Sequence, residues 1–318
     1  MKTYHTAIIG GGISGLSLAH YCAQAGYSTL VLERDDQSGG SFRSHATESG
    51  GFWFELGAHT CYNSYQNLIE LLRDCQLVEQ IQARTKAPFK MLVANDLKSI
   101  FSQIKLFELL VSVPRLFSTR KKGQTVRSYY GNIVGQGNFQ RIFSALFSAV
   151  PSQKADDFPA EMLFKKRARN KDIAKSFTMQ RGLQSIAEAV AAHPNIEFKT
   201  VQDARTITRA GERFCIQTAA GDSYISERLA LATPPPVAAK LLENIAPSLA
   251  RHLKNIAVAK VESMGVAVAK EKVKLEPFAG AIPRDDCFFS IVSRDVYPHA
   301  DYRAFTFHFA PNALDREA

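Results

Sequence analysis

The chain has 318 residues, 46% of them hydrophobic, which is enough apolar material for more than one domain-sized core. Its formal net charge of +9 suits an anionic substrate or an anionic membrane surface, and no nucleic-acid-binding motif accompanies that charge, so nucleic acid is not expected as a partner. No run reaches about 18 uninterrupted apolar residues, which argues against a transmembrane helix. The five scattered cysteines (Cys22, Cys61, Cys75, Cys215, Cys287) form no C-x-x-C pair and read as apolar fillers in a reducing compartment, with no metal site.

The first element is the apolar run Thr6-Ala7-Ile8-Ile9, which reads as a buried strand. It feeds Gly10-Gly11-Gly12-Ile13-Ser14-Gly15. A helical pattern follows (Leu16, Leu18, Ala19, Tyr21, Cys22, Ala25) and closes at Gly26. Thr29-Leu30-Val31-Leu32 is a second buried strand, ending on Glu33. Strand, glycine loop, helix, strand and acid in this order are the dinucleotide-binding fingerprint. Gly10 serves the tight turn, Gly12 the close approach of a pyrophosphate, and Gly15 the packing of helix on strand. The helix N-terminus offers free amides to the phosphates, and Glu33 would accept hydrogen bonds from a ribose diol. Beyond Glu33 lies a second pair, Gly39-Gly40, followed by Ser41-Phe42-Arg43-Ser44. A nicotinamide site needs only the first loop; a second Gly-Gly and an Arg suit a longer, embedded dinucleotide.

From Ser64 to about Lys175 the pattern is mostly helical. Leu68, Leu71, Leu72, Cys75 and Leu77 share one face of a helix. Ile104 to Phe117 is apolar on most of its circumference, is interrupted by Pro114, and has Lys105, Arg115, Arg120, Lys121 and Lys122 around it. Phe139 to Phe147 is another helix, and Lys165–Lys171 is a basic run. A helix at about 183–192 then leads to the strand Ile196-Glu197-Phe198. β segments follow near 204–208 and 214–218, a hairpin turn sits at Gly221-Asp222, and Leu229–Thr233 is a strand. Pro234 to Pro236 is expected to stop that strand and shape a crossover. Further strands are expected at about 258–268, 287–292 and 303–309. The fold class predicted is α/β: a Rossmann-like domain interrupted by a helical insertion, with a β-rich substrate segment. Its boundaries are expected at 1–62 and 177–236 for the nucleotide domain, 63–176 for the insertion and 237–318 for the β-rich part.

The pattern E-R-x-x-x-x-G-G-x-x-R-S over Glu33–Ser44, followed by F-E-x-G-A-H over Phe54–His59, resembles the FAD-dependent amine oxidase and protoporphyrinogen oxidase superfamily. Later segments are similar too: Gln180–Ile186, Leu231–Pro235 and Gly280–Arg284. The resemblance implies FAD as cofactor. It assigns cofactor contacts to Gly10, Gly11, Gly12, Ile13, Ser14, Gly15, Glu33, Arg34, Gly39, Gly40, Ser41, Arg43, Gly57, Ala58, His59 and Ala204. It implies an oxidoreductase removing hydride from a hydrophobic or acidic planar substrate, first a protoporphyrinogen-type tetrapyrrole. The alternatives are an amine oxidase, a carotenoid- or squalene-type oxidoreductase, or a non-catalytic flavin-fold fragment. The family's members are longer, so the chain is expected to lack their C-terminal segment. Ala87-Pro88 is followed by Phe89 and Lys90 where some members carry an Arg, and Lys90 and Lys98 are the candidates to meet a substrate carboxylate. No catalytic residue is assigned, because a hydride donor that then loses an acidic N–H proton needs no protein base; His59 is expected to pack near the flavin edge. The chain is expected to be cytoplasmic, with the 97–122 stretch offering peripheral contact with an anionic membrane.

Overall fold

The computed structural model describes residues 2–47 and 51–313. It divides into two units, each made of two stretches of chain. Unit 1 is Met1–Gln82 with Ser176–Val258, and unit 2 is Ala83–Lys175 with Ala259–Ala318.

Unit 1 is built on a six-stranded sheet in the order Ile196–Lys199, Thr29–Leu32, Thr3–Ile9, Ser223–Leu231, Arg213–Thr218, Ala204–Ala210. The first four strands are parallel and the last two pairings are antiparallel. All four residues of Thr29–Leu32 are buried, as a parallel strand covered on both faces requires. Tyr4, Ala7, Ile9, Leu30, Leu32, Ile207, Ile216 and Leu241 form one core cluster. The helix Ile13–Gln24 lies against the Thr3–Ile9 strand and the Gln184–Ala191 helix.

Three expectations shift here. The boundaries expected at 62/63 and 236/237 both fall inside unit 1. The helix Gln66–Asp74 belongs to it because the buried His20 ring meets the Asp74 carboxylate, Nε2 to Oδ2 at 3.0 Å. The helix Pro235–Leu242 belongs to it because Val237 and Leu241 pack into the sheet core. The proline run also opens that helix, with Pro235 and Pro236 in its first turn, where a missing amide costs nothing.

On the far edge of the same sheet, Glu197 takes Lys2 Nζ at 2.6 Å and Lys199 Nζ at 3.3 Å. The Lys2 hydrogen bond, with further ones from Tyr4 and Lys199, pulls its carboxyl down from 4.5 to about 2. A depressed carboxyl contributes stability that is fully present above its unfolded value and lost as pH falls through the folded one. Thermal melts from pH 4.5 down to about 2 should therefore fall less steeply for Glu197→Gln than for the parent. Parallel curves would remove the carboxylate from the acid limb.

Unit 2 carries a second six-stranded sheet, in the order Glu262–Ala269, Tyr302–Phe309, Phe288–Ser293, Gly280–Pro283, Phe89–Val93, Asp96–Ser99. Only the Gly280–Pro283 and Phe89–Val93 pair is parallel. The hairpin 89–99 corrects the helical reading of this stretch. Its tip is Ala94-Asn95, both at positive φ, a two-residue turn without the glycine that marks such turns in sequence. Helices Leu106–Ser112, Val126–Val134 and Ser144–Ala149 follow, with a π turn at Phe139–Phe143.

The helix Leu106–Ser112 is inverted relative to an ordinary surface helix. Its polar residues face inward. Glu108 Oε1 accepts the Gly137 amide at 2.6 Å, and Ser112 is buried. The preceding Lys105 is clamped by the fully buried Asn138, which accepts the Lys105 amide at 2.8 Å and donates to the Lys105 carbonyl at 3.0 Å. Its apolar residues face outward: Phe107 is 81% exposed and Leu110 72%, and Leu106 and Val111 are exposed beside them. Phe101 and Phe117 extend the patch. Among the described residues no helix is long and apolar enough to cross a membrane.

Candidate cofactor site

The ends of the parallel strands in unit 1 enclose a cavity of about 320 Å³, at the low end of the range of small-ligand sites. Gly10, Gly12, Ile13, Ser14, Glu33, Arg34, Gly40, Ser41 and Ala204 all line it, so the structure gathers nine of the predicted residues at one place. Gly11, Gly15, Gly39, Arg43, Gly57, Ala58 and His59 are not on its wall, and the first three have structural roles beside it.

The glycines divide by what a side chain would meet. At Gly10, with φ +110°, an added Cβ would sit 2.6 Å from the Ala232 carbonyl oxygen. At Gly15 it would overlap the Gly10 carbonyl oxygen. At Gly11 it would meet Phe198 at 2.8 Å and Glu33 at 2.9 Å. These three are closed by the protein itself. Gly12 differs: its φ of −71° suits any residue, and the nearest atoms to an added Cβ are Gly40 Cα at 3.8 Å and the Gly39 carbonyl oxygen at 3.9 Å. Space is kept at Gly12 for something other than this chain.

Helix Ile13–Gln24 points its N-terminus at that space. Its N-cap is Gly12, which supplies no side-chain cap, and its first turn carries no acid. The first intrahelical bond is Leu16 N–H to the Gly12 carbonyl, so the amides of Ile13, Ser14 and Gly15 precede the ladder. An uncapped positive helix end beside a cavity is suited to an anion such as a pyrophosphate.

Glu33 ties the acid to the loop. It is buried, Oε2 accepts the Gly11 amide at 2.6 Å, and Oε1 accepts the Asp35 amide at 2.9 Å. A carboxylate has about four lone-pair positions, so each oxygen keeps capacity for a ribose hydroxyl. The second glycine pair is stitched to the first: the Gly39 amide donates to the Gly11 carbonyl at 2.9 Å. Ala58 N–H donates to the Ser41 carbonyl at 2.7 Å, and a Cβ at Gly57 would overlap that same oxygen. The Gly-Ala-His turn therefore packs on the Gly40–Arg43 loop, with His59 half-buried beside it. Arg43 pairs with Asp36 at 3.6 Å and Arg34 with Asp35 at 3.6 Å.

Buried Glu55 joins the two chain segments of unit 1. Its carboxylate accepts the Ser44 hydroxyl at 2.8 Å and the Leu183 amide at 2.8 Å. The thiol of Cys61 is buried, and burial together with the nearby Glu55 charge pushes it up to about 12. It stays a neutral filler at ordinary pH. Among the described residues no group of three His, Cys, Asp or Glu side chains is placed to hold a metal ion.

Sequence reasoning missed Asp35, Gln202, Asp203, Thr233, Val237 and Leu241 on the cavity wall. The Gln202 amide donates to the Glu33 carbonyl at 2.8 Å and the Val201 amide to the Asp35 carbonyl at 3.0 Å. These bonds hold Val201 at φ +55°, a strained position for a β-branched residue. Thr233 lines the cavity, and its hydroxyl oxygen is buried without a partner among the described residues. The open glycine cradle at Gly12 fits a bound dinucleotide.

Lys90 and Lys98 lie in unit 2, on adjacent strands. Lys90 pairs with Ser99 and Lys98 with Met91, so the two lysines project from opposite faces of the hairpin. One carboxylate cannot meet both. Lys98 also lies 3.8 Å from Asp96.

Comparison with known proteins agrees with this geometry. A model of the NAD(P)-binding Rossmann-like domain matches residues 8–75. The 15-cis-phytoene desaturase of Synechococcus elongatus is 37% identical over 76 residues, which is 24% of this chain and 16% of that enzyme's length. The curated relatives are thus matched over a small fraction of their length. A protein assigned as a protoporphyrinogen oxidase from Exiguobacterium superposes with a TM-score of 0.74 over 99% of this chain and 81% of its own, at 16% identity. Putrescine oxidase bound to putrescine superposes with a TM-score of 0.69 over 99% of this chain and 77% of its own, at 14% identity. At such identities the likeness is one of fold. The chain shares the fold of these solved proteins, with a Rossmann-like domain over residues 8–75.

Proposed function

We propose that the cavity of unit 1 takes FAD and that the chain serves an oxidoreductase that removes hydride from a hydrophobic or planar substrate, with a protoporphyrinogen-type tetrapyrrole as the favoured class. The observation that carries the cofactor reading is the open cradle at Gly12, beside an uncapped helix end and a buried Glu33 with free lone pairs. FAD, when bound, supplies the two-electron acceptor. The chain's own residues bind and orient it. The amides of Ile13 and Ser14 face the pyrophosphate, Glu33 fixes the ribose, and the Ala204 wall closes the same cavity. No side chain is assigned a proton transfer.

The substrate reading rests on unit 2. Its outward apolar helix and the adjacent Arg115, Arg120, Lys121 and Lys122 suit a greasy substrate with acidic groups, delivered at an anionic membrane surface. Lys90 and Lys98 remain separate candidates for its carboxylate.

The test is reconstitution with FAD, followed by anaerobic bleaching of the flavin. The parent should bind FAD stoichiometrically. Glu33→Gln, which loses a charged acceptor, should bind it about tenfold more weakly. A porphyrinogen with free carboxylates should bleach the flavin faster than its ester. Absence of FAD binding would remove the cofactor reading, and bleaching by an apolar polyene alone would move the substrate class.

A further inference from the structure

Unit 2 contains a second cavity, of about 370 Å³, between the Lys270–Glu276 segment and the Arg294–Arg303 segment. Its wall is held rigidly. Arg303 and Asp295 are both nearly fully buried and form a two-point pair, Nε to Oδ1 at 2.9 Å and Nη2 to Oδ2 at 2.6 Å. The remaining guanidinium donors reach the backbone carbonyls of Leu275 and Glu276. Asp295 also accepts the Phe278 amide at 3.1 Å, and the Lys270 amide donates to the Asp301 carbonyl at 2.8 Å. A bidentate buried pair whose other donors are satisfied fixes geometry, so this cavity is held open by bonds that need no ligand.

Much of the lining is apolar: Val273, Leu275, Pro277 and Pro298, with the Tyr302 ring beside the His299 ring at 5.8 Å between centroids. The rim is cationic. Lys270 and Lys274 line the cavity, and neither ammonium takes an ion pair or hydrogen bond among the described residues. The Arg303 charge is already matched by Asp295, so Lys270, Lys274 and Arg294 leave an excess of positive charge over the remaining acid, Glu276.

We propose that this cavity binds a small amphipathic anion, a carboxylate carried on a flat apolar ring system, with the ring against Val273, Leu275 and Tyr302 and the carboxylate met by Lys270 and Lys274. This site lies wholly within unit 2 and is independent of the cofactor reading.

Calorimetric titration of the full chain with naphthalene-2-carboxylate tests it, with naphthalen-2-ylmethanol as the neutral analogue. The parent should bind the carboxylate saturably at one site. It should bind the alcohol about tenfold more weakly, the scale of two partly exposed charge contacts. Lys270→Gln with Lys274→Gln should lose about tenfold for the carboxylate and nothing for the alcohol. Lys260→Gln with Lys272→Gln removes the same charge from exposed positions that do not line the cavity, and should bind like the parent. Equal loss in both double variants would reduce the effect to net charge and overturn the site. Equal binding of acid and alcohol, or no binding by the folded parent, would overturn it as well.

Discussion

Gly12→Ala is expected to leave the protein folded and to weaken FAD binding by roughly 5- to 150-fold, the effect of about 1–3 kcal/mol of overpacking at the ligand. The apo protein accepts the methyl group, since φ at Gly12 is −71° and the nearest atom is 3.8 Å away. The phosphates do not accept it, because the methyl group fills the space they must enter. Gly15→Ala should behave in the opposite way. Its methyl group would overlap the Gly10 carbonyl oxygen, so helix and strand must part, at a cost of about 3 kcal/mol in stability before any ligand is added. Thermal melts and FAD titrations on the two variants separate these effects. Stoichiometric, parent-like FAD binding by Gly12→Ala would show that the cofactor lies elsewhere.

Phe107→Asp combined with Leu110→Asp is expected to abolish co-sedimentation with anionic vesicles. Burying those two side chains in the headgroup region contributes about 3–6 kcal/mol, at about 1.5–3 kcal/mol each. Both are solvent-exposed in the protein, so the melting temperature should barely move. Glu108→Ala makes the complementary case. It leaves the apolar face intact but strips the Gly137 amide of its acceptor, costing about 1–3 kcal/mol of stability with vesicle binding retained by the folded fraction. High salt should weaken the parent's binding through Lys105, Arg115, Arg120, Lys121 and Lys122 without eliminating it. A folded parent that ignores vesicles at low salt would end the membrane reading.

The glycine loop and Glu33 were legible because their whole logic is local. Within about thirty residues, strand, turn, helix and acid occur at fixed spacings, and each glycine has a steric reason that its neighbours reveal. Gln202, Asp203 and Thr233 were not legible. They reach the cavity only because Ile196–Lys199 and Ser223–Leu231 flank the first two strands in the sheet order, and nothing in their own neighbourhoods encodes that pairing. Lys90 and Lys98 illustrate a different limit. Both are basic and near one another in sequence, yet one register step in a hairpin sends them to opposite faces. The helix at Leu106–Ser112 shows a third. Its apolar residues alone are compatible with core or surface, and the decisive fact is the inward bonding of Glu108 and the burial of Ser112, which periodicity counts as interruptions.

The central position of the Thr3–Ile9 strand also constrains how the protein is made. It is made before the other strands of its sheet, and Thr29–Leu32 soon covers one of its edges. The other edge waits for Ser223–Leu231, more than two hundred residues later. At typical elongation rates that delay is about 10–45 s. Throughout it an apolar strand with unpaired amides and carbonyls stands open, while the first stretch of unit 2, Ala83–Lys175, is made. An open edge of this kind is a template for mispairing, so slowing translation between these two strands should lower soluble yield more than slowing it after Leu231.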